Sequence, residues 1–174
     1  MAAGSTYTPI ASYTSSGSAA SYTFSSISGS YTDLILVMNF GINRNGAAFS
    51  CQVGNGSVDT GTNYSNTQLY GDGTSAASTR SSSTSSWSLT TWVGYSTTIS
   101  NNAILQFQNY SNTTTYKTML ARTNNAAGSA YPGTSANVNL WRSTSAINTI
   151  KLLCGGTDYF VDGSIFTLYG ITAA

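Results

Sequence analysis

This chain nearly lacks the residues that build solvent-facing helices. Glu is absent, and Lys occurs only at 117 and 151. Both types lose little on entering a helix and normally fill its exposed positions. In their place stand 29 Ser and 26 Thr, close to a third of the 174 residues, with 17 Gly and 12 Tyr. Thr and Tyr, with the chain's Val and Ile, suit a pleated, half-buried surface. Ser, Asn and Gly supply turns. No heptad and no collagen-like glycine period runs through the sequence. The apolar residues must therefore be buried by strands.

Period-two alternation marks those strands. Over 33–41, Leu34, Leu36, Met38 and Phe40 share one face. Ile35 and Val37 make the other face apolar too, which predicts a central strand covered on both sides. Trp87, Leu89, Val93 and Tyr95 alternate over 87–95, and Ala103, Leu105 and Phe107 over 103–109. In 116–122, Tyr116 and Leu120 are expected inward, against Lys117 and Ala121. In 137–141, Val138 and Leu140 are expected inward, against Asn137 and Asn139. Ile150, Leu152 and Cys154 form one face of 147–154, and Phe166 and Leu168 oppose Ile165, Tyr169 and Ile171 in 164–171. Segments 7–13, 20–26, 48–53 and 67–70 complete the set. The expected fold is all-β: an antiparallel β-sandwich, jelly-roll-like, of about ten strands.

A single domain is expected over 20–174, with residues 1–19 as an N-terminal arm and first edge strand. A polar arm of this kind is expected to order on a neighbouring subunit. Loops are expected at 42–47, 54–66, 71–86, 124–135 and 155–163. Within them, 75–86 is nearly all Ser, Thr and Ala. It reads as a flexible tether, or as an extended edge in an assembly.

The composition removes whole classes of chemistry. With no His there is no Ser-His-Asp or Cys-His site and no imidazole metal ligand. Acid–base work would fall to Asp33, Asp59, Asp72, Asp158 and Asp162. On a strand, Asp158 and Asp162 would stand about 13 Å apart, too far for a carboxylate pair, and they read as a polar loop rim. Asp59-Thr60-Gly61-Thr62-Asn63 resembles part of a calcium loop but lacks its closing acid, and reads as an Asx turn. Catalytic, cofactor and metal residues are accordingly expected to be none, and the protein is expected not to be an enzyme. The six cations are scattered, so no nucleic-acid footprint is expected. No apolar run reaches the length of a membrane span, and residues 1–6 lack the basic and apolar regions of a secretory signal. Cys51 and Cys154 read as small buried hydrophobes, with a disulfide as the alternative. The Asn-x-Ser/Thr sequons at Asn55, Asn63, Asn109 and Asn112 are expected by chance in so hydroxyl-rich a chain.

Charge is the strangest feature. Only 6% of residues are charged, against roughly 25% in soluble domains. Monomers use surface charge for colloidal stability and guard sheet edges with Lys. A neutral, hydroxyl- and amide-rich surface suits a protein packed against copies of itself or another lattice, through contacts that desolvate no charge. Aromatic residues are enriched at such contacts, and Tyr13, Trp92, Tyr131 and Trp141 are the expected interface residues.

Several segments carry a resemblance. Thr23-Phe24-Ser25-Ser26-Ile27 leads into Tyr31-Thr32-Asp33-Leu34-Ile35-Leu36-Val37. Then come Asn63-Tyr64-Ser65, Leu69-Tyr70-Gly71-Asp72-Gly73, Asn109-Tyr110-Ser111-Asn112, Leu140-Trp141-Arg142-Ser143 and Phe166-Thr167-Leu168-Tyr169-Gly170-Ile171. Their order, from about residue 20 to the end, resembles small β-rich structural proteins of tailed-bacteriophage virions. The resemblance implies a virion component made in the host bacterial cytoplasm. The expected role is capsid decoration: a cement protein, expected as a homotrimer, that binds the major capsid protein on the outer lattice and stabilises it. The alternative is a tail-fibre or head-fibre module that recognises host surface glycan.

Overall fold

The computed structural model describes residues 6–89, 95, 97–125 and 133–172. Two antiparallel sheets pack as a sandwich. The larger has eight strands in the order β1 (Tyr7–Thr14), β13 (Ile165–Ile171), β3 (Asp33–Phe40), β9 (Asn101–Gln108), β10 (Lys117–Asn125), β11 (Gly133–Trp141), β6 (Tyr64–Gly71) and β7 (Ala76–Thr84). The smaller runs β2 (Ser21–Phe24), β12 (Thr149–Cys154) and β4 (Phe49–Asn55), with β5 (Ser57–Val58) and β8 (Trp87–Ser88) both paired to β4.

The connectivity is that of a jelly roll with two additions. The chain alternates between sheets through β1, β2, β3 and β4, and again through β8, β9, β12 and β13. These eight strands, four in each sheet, form the jelly-roll frame. Two hairpins are inserted into it: β6–β7 ahead of β8, and β10–β11 between β9 and β12. They meet at the β11–β6 ladder and widen the larger sheet by four strands beyond β9.

The frame's core follows the sequence alternation. Leu34, Leu36, Met38 and Phe40 of β3 are fully buried, as are Phe49, Cys51 and Val53 of β4, Ile150 and Leu152 of β12, and Phe166 and Leu168 of β13. An aromatic cluster closes one end. Phe40 lies edge-on to Phe49 at 5.0 Å and to Tyr95 at 4.9 Å, and Phe160 edge-on to Phe166 at 4.8 Å. Such edge-to-face pairs add to the gain from area burial. Ile35 and Val37 lie on the outer face of the larger sheet and are half-buried, so β3 is central but no second layer of described residues covers it.

Residues 7–14 form the expected edge strand, β1, paired along its length to β13. Two other expectations about single segments change. Residues 76–84, expected within a loop, form edge strand β7, paired to β6 from Gly71 to Tyr64. The second change concerns β10 and β11, whose faces are the reverse of the expected ones. Lys117, Met119, Ala121, Thr123 and Asn125 point inward on β10, and Ser135, Asn137, Asn139 and Trp141 on β11. Tyr116, Leu120 and Val138 are exposed.

The reversal has a physical cause. The four added strands extend past the smaller sheet, so their inner side is met by the chain around residues 85–89 and by Tyr95. An irregular segment presents backbone groups that need partners when buried. Asn137 Nδ2 donates to Ser88 O at 3.4 Å, and Trp87 Nε1 to Leu140 O at 3.0 Å. This segment covers the inner side of β11, where Asn137 and Trp141 lie, and the aliphatic side chains of the same strands are left outside.

Candidate interaction face

The displaced aliphatics form a continuous surface. Cross-strand register places Gln106, Leu120, Val138, Thr67 and Arg80 in one row across β9, β10, β11, β6 and β7. The next row is Ile104, Arg122, Ala136, Leu69 and Ser78. Leu69 is 62% exposed, Val138 56% and Leu120 38%. Scattered exposed leucines are ordinary, whereas contiguous ones mark a contact surface. The face is concave: a trough of about 570 Å³ is lined by Leu69, Ile104, Leu120 and Val138, with Arg122 among them. Hollows on the flanking strands continue it toward Arg80 and toward Ala76 and Ala77.

The sheet edges differ. β1 carries Pro9, which has no N–H, and a bulge between Pro9 and Ala11; both features blunt an edge. β7 has nine residues, no Pro and one charge, Arg80. The trough thus opens beside an unguarded edge of small hydroxyl side chains.

Of the expected interface residues, Tyr13 and Trp141 lie away from this face. Tyr13 is half-buried, its ring stacked on Tyr22 with centroids 3.7 Å apart. Trp141 is buried, and its Nε1–H donates to Asp59 Oδ2 at 2.7 Å. It is a packing residue because β11 turns the opposite face outward. Trp92 and Tyr131 lie outside the described residues. Trp87 is fully buried, edge-on to Tyr64 at 5.3 Å.

The carboxylates serve local structure. Asp59 forms the expected Asx turn, accepting Gly61 N–H at 2.7 Å and Asn63 Nδ2 at 2.8 Å. Burial pushes its pKa up, but the donors Trp141, Asn63 and Gly61 outweigh this and hold it below the usual carboxylate range. Asp72 accepts from the backbone of Ser75 and Thr74 and from the Thr74 hydroxyl, which holds its pKa at about 2. Asp158, expected on a polar rim, is buried and takes a two-pronged contact from Arg44: Nε to Oδ1 at 3.1 Å and Nη2 to Oδ2 at 2.7 Å. A buried carboxylate needs such a partner. Asp162 is exposed. Among the described residues no three His, Cys, Asp or Glu gather as metal ligands, and no helix is long and apolar enough to cross a membrane. Cys51 and Cys154 are both free and buried, and burial raises both thiols, Cys154 to about 12. Neither is a reactive thiolate at neutral pH.

Comparison with known protein families, with curated proteins and with solved structures finds no match. Function is therefore read from the exposed face. Leu120 and Val138, expected inward, are on it, and Ile104 lies on it as the alternation over 103–109 implies. One signal for the correct assignment was present: on 117–125, Lys117, Met119 and Ala121 compete on equal terms with Leu120 for the inward side.

Proposed function

We propose that this chain is a structural protein of a tailed-phage virion, one that decorates the outer capsid lattice and stabilises it by bridging subunits. The observation that carries the reading is the concave aliphatic face on β9, β10, β11 and β6, set on a sheet extension beyond the jelly-roll frame. An exposed apolar trough rimmed by hydroxyls and amides packs well against another protein surface. The scarcity of charge over the whole chain fits life in a crowded lattice. Four of the five carboxylates are engaged in turns and pairs within the chain, which favours a binding role over acid–base chemistry. Both described tryptophans are buried, which favours lattice contact over a glycan-stacking platform.

Quantitative mass spectrometry of purified virions tests the proposal. A copy number comparable to that of the major capsid protein is the expected result. A few copies per particle would assign an appendage instead, and absence from the particle would overturn the proposal. The mass of the purified protein in solution tests the expected homotrimer.

A further inference from the structure

The geometry points to a particular occupant for the trough: an extended protein segment presenting aliphatic side chains and two carboxylates on one face. This rests on the lattice-binding reading for the identity of the protein that carries the segment; its chemistry comes from the trough itself.

Two guanidinium groups bracket the aliphatic surface. Arg122 stands within the trough on β10, and Arg80 on β7 at its far side. Both are exposed, and neither has a hydrogen-bond or ion-pair partner among the described residues. The chain's other arginines are committed. Arg44 pairs with Asp158, and Arg142 donates to Ser65 Oγ and to the carbonyls of Thr62 and Tyr64. No carboxylate lines the trough. Two free cations around an apolar floor call for a partner carrying anions.

Spacing narrows the partner. Arg122 and Arg80 are three strand intervals and one register row apart, or about 14–16 Å at the usual strand separation and rise. An extended segment advances about 3.3 Å per residue and repeats its face every second residue. Carboxylates four residues apart, with an aliphatic side chain between them on the same face, therefore meet both guanidinium groups while the aliphatic residue covers Leu69 and Val138. A single-headed amphiphile cannot bridge both cations. A second copy of this chain fits poorly, because face-to-face packing sets arginine against arginine, and Asp33, Asp59, Asp72 and Asp158 are already engaged.

The test is an NMR titration of the ¹⁵N-labelled protein with the peptide acetyl-Leu-Ser-Asp-Ser-Leu-Ser-Asp-Ser-Leu-amide. Saturable shifts confined to β6, β7, β9, β10 and β11 are expected. Arg80→Gln and Arg122→Gln should each weaken binding by about two- to fivefold, as exposed ion pairs do. Val138→Asp should weaken it by about tenfold or more through lost apolar contact and added repulsion. Lys151→Gln, on the other sheet, should leave it unchanged. Four results would overturn the inference: no shifts up to about 1 mM peptide, shifts mapped elsewhere, equal binding of a peptide with Asn in place of Asp, or tighter binding of decanoate at the same residues. Concentration-dependent shifts of the trough without peptide would assign a second copy as the occupant. Capsid binding separates the two readings. Attachment retained by folded Val138→Asp would remove the trough as the lattice contact and leave lattice binding standing. Peptide binding by a protein absent from virions would remove the lattice reading alone.

Discussion

The indole of Trp141, at the end of β11, donates its Nε1–H to the Asp59 carboxylate in the loop between β5 and β6, over 2.7 Å. The same loop is held from its other end by Tyr64, whose hydroxyl lies 2.8 Å from Asp59 O and 2.9 Å from Val53 O. Asp59 therefore ties the inserted β6–β7 hairpin to β11 and to β4. Asp59→Ala leaves the indole N–H and Gly61 N–H without their acceptor. The expected loss is about 1–3 kcal/mol, typical of hydrogen bonds to a charged group. Asp59→Asn keeps an acceptor and should lose less. Urea unfolding followed by tryptophan fluorescence measures both; equal stability of Asp59→Ala and the parent would show that the tie carries no load.

Stability should be flat around neutrality and fall on both sides. The chain has neither Glu nor His, so no side chain of the unfolded chain titrates between about pH 5 and 8. Asp72 is held at about 2 by the Ser75 and Thr74 donors, and Asp59 is also lowered. Both bind protons more readily when unfolded, where carboxyls titrate near about 4. Their contribution is complete above that value and is lost as pH falls through the folded one. On the alkaline side, burial raises Cys51, Cys154, Tyr64 and Tyr95. The unfolded chain then ionises first, so stability declines from about pH 8.5 upward. Lys117, lowered by burial, acts in the opposite sense near about pH 10 and offsets part of that decline. Urea midpoints across the pH range check the profile, and Asp72→Asn should shorten the acid limb. A slope between about pH 5 and 8 would contradict it.

The frame was legible where one face of a strand is much more apolar than the other. Leu34, Leu36, Met38 and Phe40 leave no choice of side, nor do Phe49, Cys51 and Val53. Legibility failed on the added hairpins for two reasons. In β7 the run Ser78-Thr79-Arg80-Ser81-Ser82 has no apolar face at all, so its strand state comes from its pairing to β6. In β10 and β11 both faces carry a few apolar residues, and a shift of one residue exchanges them completely. What decides the matter is the segment packed underneath, where the buried Trp87 donates to Leu140 O at 3.0 Å and Asn137 makes a long contact to Ser88 O. Leu120 and Val138 therefore lie outside, against the expectation, and Trp141 lies inside.

At Gly54 and at Gly170 no side chain fits. A Cβ on Gly54 would collide with the Ser57 carbonyl oxygen across the β4–β5 hairpin, and one on Gly170 with the Tyr31 ring. Backbone cannot move aside without opening the hairpin, whereas Tyr31 is only half-buried and can swing away. Gly54→Ala should therefore cost more than Gly170→Ala, both in the range of about 1–3 kcal/mol for overpacked sites. Thermal unfolding of the two variants reads the order directly. A reversed order would mean that the β4–β5 hairpin yields more easily than the Tyr31 contact.

Asn137 and Asn139 point two acceptors into the protein that no described residue meets. Asn139 is fully buried and donates to Met119 O at 3.1 Å, and Asn137 makes only the long contact to Ser88 O. The Oδ1 atom of each has no partner among the described residues. A buried acceptor left unsatisfied costs about 1–3 kcal/mol, and replacing it by an apolar group of similar shape removes that cost. Asn137→Leu gives up only a weak bond, so it should stabilise the fold by about 0.5–1 kcal/mol, net of that bond and of some steric adjustment. Asn139→Leu forfeits a good bond to a backbone carbonyl and should gain less. Urea midpoints at unchanged m-value provide the measurement. Should Asn137→Leu destabilise instead, the Asn137 amide contributes more to the fold than its long contact to Ser88 O. In either case the substitution lies on the inner side of β11, and peptide binding at Val138 and Leu120 on the outer side should be unaffected.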